Sequence, residues 1–159
     1  MKKYLQKKLN NEKGMTLIEL LAVIVIIAII AAIAIPAIGN IIENSRYSAV
    51  KSDALNALNA ANIYFAENAD EDDVTIAELE NGYLDNAGTL DDPVATSNLI
   101  KKNTEGAVTL TYADITYSGS KKVSFSNATV EAINADEQKG SDPEAAKTIS
   151  AASSDDDGE

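Results

Sequence analysis

From Leu20 to Ile35 sixteen consecutive residues are apolar, and this run constrains the chain more than any other feature. Extending it back to Met15 adds only Thr16 and Glu19 as polar positions. As a helix, residues 15–35 span roughly 31 Å at ~1.5 Å per residue, close to the ~30 Å of a bilayer core. The run is apolar all round instead of striped, which suits lipid or a buried bundle better than the face of a soluble domain. A secretory signal also has a basic start and an apolar stretch, and Ala31-Ala32-Ile33-Ala34 offers small residues for a cleavage site. After Ala34, however, the chain goes on in a helical pattern where such a signal would give way to a polar mature sequence. Glu19 stands out, because an ionisable group at the edge of hydrocarbon is costly and is usually functional.

Charge separates along the chain. Residues 1–14 hold five lysines against one acid, Glu12, whereas the other 145 residues hold eight Lys/Arg against twenty-four Asp/Glu. A formal net charge of -12 therefore hides a basic tip and an acidic remainder. That asymmetry fits a cytoplasmic lysine-rich end, an embedded helix and an external soluble part. It argues against bulk attraction to nucleic acid, whose phosphates would be repelled by most of the surface. Cysteine and histidine are absent, which excludes disulfides, thiolate or imidazole metal sites, and catalysis by either residue. There is no tryptophan and only two phenylalanines, so the core is expected to be small and built from Val, Ile, Leu, Ala and Tyr.

Beyond Pro36 the pattern turns amphipathic. Val50, Ala54, Leu58, Ala61 and Phe65 recur at three- and four-residue spacing, which predicts one long helix from about Thr16 to Glu67. Pro36 is expected to bend it, since proline removes a ladder bond and crowds the preceding turn. The acidic stretch Asp70 to Asp73 reads as a loop leading to a short helix, Thr75 to Glu80, ended by Asn81-Gly82. Asp85 to Asn103 shows little periodicity and reads as loop. AVTLTYADITY and KKVSFSNATVEAI, separated by Ser118-Gly119-Ser120, read as a β-hairpin. Val130 to Ile133 reads as a third strand or a continuation of the second. From about Asp136 the hydrophobes thin out, and a disordered acidic tail is expected.

Taken together, the lysine-rich leader, Gly14, Met15-Thr16-Leu17-Ile18-Glu19 and the apolar helix resemble the class III signal of bacterial type IV prepilins and their pseudopilin relatives. A proline well along the helix, here Pro36, also fits. The resemblance is strong over about residues 1–67; beyond them, Glu80 to Leu84 (ENGYL) is similar to the loop after the long helix in many pilins. It implies an α+β fold: a long N-terminal helix, apolar then amphipathic, packed on a small antiparallel sheet. The expected organisation is a cleaved leader (1–14), a membrane and filament-core helix (15–39), a globular pilin domain (40–135) and an acidic low-complexity tail (136–159). The resemblance further implies cleavage after Gly14 by a membrane prepilin peptidase, N-methylation of Met15, and stacking into a helical filament by an assembly ATPase and its inner-membrane platform, alongside other minor pilins. Phenylalanine is commonest where Met15 stands. The expected location is the cell membrane, with the leader cytoplasmic, and then a surface filament. Cleavage would expose an α-amino group at Met15, one helical turn from Glu19, so an incoming amine could pair with Glu19 of a neighbour and set the stagger between apolar helices. A type II secretion pseudopilin, or an anchored binding module that does not polymerise, is the alternative.

The remaining motifs read as structural. Asp70 to Asp73 and Asp91-Asp92 hold carboxylates of the kind calcium favours, but without EF-hand spacing, so no cofactor is assigned. The pairs Lys101-Lys102 and Lys121-Lys122 are too few for substantial phosphate neutralisation, and DNA contact is not indicated. Asn127-Ala128-Thr129 matches a glycosylation sequon, a pattern with many false positives. Tyr112 and Tyr117 read as sheet residues. No convergent nucleophile, base or phosphate loop marks an enzyme.

Overall fold

The computed structural model describes residues 16–90 and 98–151. It divides into two units, Met1–Gly39 and Asn40–Glu159. Helix α1 (Leu17–Glu67) contributes to both and contains Pro36.

In the first unit the helix is bare. Ile24, Ile27, Ile30 and Ile33 are each more than half exposed, and the helix is long and apolar enough to cross a membrane. Proline deletes the ladder bond that residue 36 would otherwise give to Ala32, yet the helix runs through it.

In the second unit the same helix acquires an inner face. Tyr47, Val50, Ala54, Ala57, Leu58, Ala61 and Phe65 are buried, so all five residues picked out by periodicity lie in the core. That core is completed by a five-stranded sheet of order β1-β2-β3-β4-β5, where β1 is Asp73–Thr75, β2 Leu99–Lys102, β3 Val108–Ser118, β4 Lys121–Ala128 and β5 Ala146–Ser150. Burying side chains such as Leu58, Leu110 and Phe125, all at most 2% exposed, contributes about 1.5–3 kcal/mol each.

The expected hairpin is present, with Gly119 at φ 57° supplying the left-handed turn residue between β3 and β4. Neither strand keeps strict alternation. Leu110 and Tyr112 face the core, then Ile115 and Tyr117, with an extra residue at Ala113-Asp114. On β4 the inward sequence Val123, Phe125, Ala128 carries its extra residue at Ser126-Asn127. The register shifts at both places, and Asp114 and Asn127 each adopt φ 48°. Each insertion is a β-bulge that returns the following side chains to the core face.

The short helix predicted after the acidic loop is α2 (Ile76–Leu79), begun by Thr75, whose hydroxyl accepts from the Glu78 amide while Glu78 reaches back to the Thr75 amide. Three expectations change. Asp85 to Asn103 is not all loop: it holds a 3-10 turn, Gly88–Leu90, and strand β2, while residues 91–97 lie outside the described residues. Val130 onward is a helix, α3 (Val130–Ala135), because the Thr129 hydroxyl caps it by accepting from the Ala132 amide. The sheet is mixed, not purely antiparallel, since β5 runs parallel to β4.

The last of these also corrects the reading of 136–159 as a disordered tail. Residues from Asp136 are folded through Ser150, and 152–159 lie outside the described residues. The segment from Asp136 to Glu144, here termed the strap, lies across the helix turn at Glu43–Lys51. Asp136 accepts from the Tyr47 hydroxyl at 2.8 Å and from Lys51 Nζ at 3.0 Å. The Ser141 amide donates to Asn44 at 2.9 Å. Lys121 Nζ donates to Glu43 at 2.8 Å and to the carbonyls of Gly140 and Asp142. A Cβ at Gly140 would run into the Glu43 carbonyl and the Tyr47 side chain. Polar contacts thus do for the strap what hydrophobes do elsewhere. Beyond it, β5 turns Lys147 and Ile149 inward, and buried Lys147 sits 3.5 Å from Asp142 and 3.6 Å from Glu144.

Candidate functional site

The start of α1 is organised by two residues. The Thr16 amide donates to Glu19 Oε2 at 2.6 Å, and its hydroxyl donates to the same oxygen at 2.8 Å. In return the Glu19 amide reaches the Thr16 hydroxyl oxygen at 3.3 Å. This is a reciprocal capping box, which satisfies amide donors that a helix start leaves open. A carboxylate is also favoured there by the helix dipole. One oxygen does all this work: among the described residues, Glu19 Oε1 has no hydrogen-bond partner. The T-x-x-E spacing ahead of an apolar run is itself a capping signal, and the same pattern recurs at Thr75–Glu78. Reading Glu19 only as a partner for an amine passes over this local role.

Glu19 sits on a helix whose neighbouring side chains are open, with Leu17 82% and Ile18 74% exposed. Gly14 and Met15, the expected cleavage and methylation positions, lie outside the described residues. Pro36 lies within the helix, seventeen residues beyond Glu19.

The other singled-out residues are occupied structurally. Asp73 enters β1 opposite Lys101, and Asp91-Asp92 lie outside the described residues. Among the described residues no group of three or more Asp/Glu is gathered so as to hold a metal. Lys102 lies over the Phe65 ring at 5.2 Å and donates to the Ala69 carbonyl. Lys121 is held by the strap, and Lys122 pairs with Asp114 at 3.2 Å. Tyr112 and Tyr117 are buried, with hydroxyls on the carbonyls of Leu90 and Gly140. Asn127 is exposed, and its carboxamide oxygen accepts from the Thr111 hydroxyl.

Side-chain chemistry in the domain is that of fixed carboxylates. Hydrogen bonding from Lys121 holds the Glu43 carboxyl below the usual range. For Asp136, burial pushes upward, but hydrogen bonds from Tyr47, Lys51 and Gln138 outweigh it and hold the carboxyl low. Burial, reinforced by the bond to Asp136, pushes the Tyr47 hydroxyl well above its ordinary value.

A capped, bare apolar helix after a lysine-rich stretch fits a membrane-anchored chain. Residues 9–35 match the family model described as the prokaryotic N-terminal methylation motif. This is the class III signal motif of type IV prepilins, and its presence over this segment supports a pilin- or pseudopilin-like protein. The motif implies processing by a prepilin peptidase and assembly with other pilins. No curated protein and no solved structure matches the chain.

Proposed function

We propose that this chain is a structural subunit of a type IV pilus or pilus-like filament. Prepilin peptidase cuts after Gly14, Met15 becomes the N-methylated first residue, and the apolar helix holds the subunit in the membrane until an assembly ATPase and its platform protein stack it into the filament. The finished polymer lies at the cell surface. Glu19 then serves as the register contact, pairing with the Met15 amine of a neighbouring copy.

The observation that carries this reading is the geometry at Glu19. Thr16 immobilises the carboxylate through Oε2 and leaves Oε1 unpartnered among the described residues, on a helix with no other charged group before Glu43. Apolar helices slide past one another with little preference, so a single polar contact can decide their stagger. A buried ion pair adds little net stability, but a buried charge left without its partner costs about 3–5 kcal/mol. Wrong registers are therefore penalised more than the right one is rewarded.

Mass spectrometry of the membrane-extracted protein tests the processing step. A chain beginning at N-methyl-Met15 is expected; an intact Met1 or a cut after Ala34 overturns the proposal. For the register contact, Glu19→Ala is expected to be processed normally and to enter filaments poorly. Filaments of normal yield from the variant alone would remove Glu19 from that role.

A further inference from the structure

The turn after α2 holds the only Asn-Gly pair of the chain, Asn81-Gly82, and both residues are exposed. The Asn81 amide donates to the Glu78 carbonyl at 3.2 Å. The amides of Tyr83 and Leu84 both donate to the Leu79 carbonyl, at 2.9 and 2.8 Å. Between them the Gly82 amide has no hydrogen-bond acceptor among the described residues, and the Asn81 carboxamide has no partner there either. Gly82 adopts φ 127°. Apart from its chain neighbours, no atom lies within 4 Å of the place a Cβ on Gly82 would take.

An asparagine carboxamide carbon is within reach of the backbone nitrogen that follows it, and a bond between them closes a five-membered ring. Reaction is held back where that nitrogen's N–H is committed to a hydrogen bond, where the carboxamide is itself held, or where the following side chain shields the approach. Asn40, Asn56 and Asn59 lie inside α1, whose ladder engages the next amide. Asn86 and Asn103 stand in turns, but their carboxamide oxygens accept from the amides of Gly88 and Ala107, and residues with a Cβ, Ala87 and Thr104, follow them. None of these restraints acts on Asn81.

We propose that Asn81 is a site of spontaneous deamidation in the folded domain, with water as the only co-reactant. The Gly82 nitrogen gives up its proton and attacks Asn81 Cγ. The N–Cγ bond forms, the Cγ–Nδ2 bond breaks, and ammonia leaves carrying that proton. Water then opens the succinimide. Attack at Cγ yields aspartate on an unchanged backbone, and attack at the main-chain carbonyl yields isoaspartate, whose chain runs through Cβ and Cγ. Either product replaces a neutral amide by a carboxylate, close in sequence to Glu78 and Glu80. Isoaspartate also adds a carbon to the backbone inside the loop closed on the Leu79 carbonyl, so the Tyr83 and Leu84 amides cannot both keep that acceptor with their present geometry. The disturbance extends to α1, because the Tyr83 hydroxyl donates to Glu67 at 2.7 Å and its ring stands edge-on to Tyr64 at 5.3 Å. The proposal concerns the folded domain and does not depend on the filament role.

The full detergent-solubilised chain is aged at neutral and at mildly alkaline pH, then digested and mapped by mass spectrometry. A protein isoaspartate methyltransferase with labelled methyl donor reads the isoaspartate. The peptide containing Asn81 is expected to gain the mass of an NH-to-O exchange and to accept label. Its conversion should quicken as pH rises, since the attacking nitrogen must be deprotonated, and should proceed at a rate close to that of the chain unfolded in urea. Aged protein is expected to melt a few degrees lower than fresh protein. Asn81→Gln, which would have to close a six-membered ring, is expected to lose the label at this peptide and to melt alike before and after ageing. An Asn81 that stays intact in the folded chain while converting in urea overturns the proposal, because the fold would then shield the turn. Aspartate without isoaspartate, a rate indifferent to pH, or isoaspartate that maps to other residues and not to Asn81 overturns it as well.

Discussion

Asp136→Ala separates a folded strap from a solvated tail. In a tail, loss of one acid from a chain of net charge -12 changes stability by no more than about 0.5 kcal/mol, the usual range for surface substitutions. In the structure the Asp136 side chain is 6% exposed, and its Oδ2 accepts from both the Tyr47 hydroxyl and Lys51 Nζ. Hydrogen bonds to a charged group contribute about 1.5–3 kcal/mol each. The two share one oxygen and Lys51 retains 19% exposure, so their sum is discounted to a loss of about 3 kcal/mol. For a domain of this size that corresponds to a fall in Tm of roughly 12–24 °C. Urea and thermal unfolding of the detergent-solubilised chain, followed by tyrosine fluorescence and near-UV circular dichroism, reads the domain and not the apolar helix. Tyr47→Phe and the double variant complete a cycle, and a coupling of 0.5 kcal/mol or more is expected for groups in direct contact. A loss below about 0.5 kcal/mol, or full additivity with Tyr47→Phe, would refute the clamp.

Two further outcomes follow from the same contacts, and a third from the α2 cap. Gly140→Ala places a Cβ against helix backbone that has no room to yield, and a loss of about 1–3 kcal/mol is expected in urea melts. Acid should loosen the strap: Glu43, Asp136 and Asp142 all have lowered carboxyl pKa values in the fold, so their stabilisation is complete above the unfolded value near pH 4 and is lost as pH falls through the lower folded values. The urea midpoint should therefore decline below about pH 4, and a midpoint that rises there contradicts the assignment. Thr75→Ala removes the α2 cap, and a loss of about 1 kcal/mol is expected, seen together with faster amide exchange at Ile76 to Leu79.

Legibility in the sequence followed the kind of force at work. The apolar half of α1 and its inner face at Val50, Ala54, Leu58, Ala61 and Phe65 announce themselves by hydrophobic spacing, and the hairpin by its β-formers around Ser118-Gly119. The strap and β5 do not, because Ile149 is the only large hydrophobe in AKTIS and the strap is held by Asp136 and Ser141 through partners more than eighty residues away in the chain, and by Gly140 through Tyr117 and Lys121. Composition marks such a segment as solvated, and only its distant partners make it ordered. Val130 to Ile133 went the other way: its β-branched residues favour a strand, but the Thr129 cap supplies the local hydrogen bond that starts a helix. At the candidate site, Glu19 was conspicuous for its cost in hydrocarbon. Its second role was written just as plainly in the T-x-x-E spacing.

Lys147 has a bearing on how such a chain avoids assembling wrongly. Strand β5 is last in the sheet order on one side, and an edge strand is the usual template for adding a foreign strand. For the filament subunit proposed above, held in the membrane beside identical copies, that error would be costly. Lys147 lies on the core side of this outermost strand, and two surface carboxylates hold its ammonium in place. A strand arriving at the edge would have to extend the core face past a charge already tethered there, and such inward charges discourage edge pairing. On the function proposed above, growth by helix stacking would stay open while growth by sheet extension, which ends in aggregates, is discouraged.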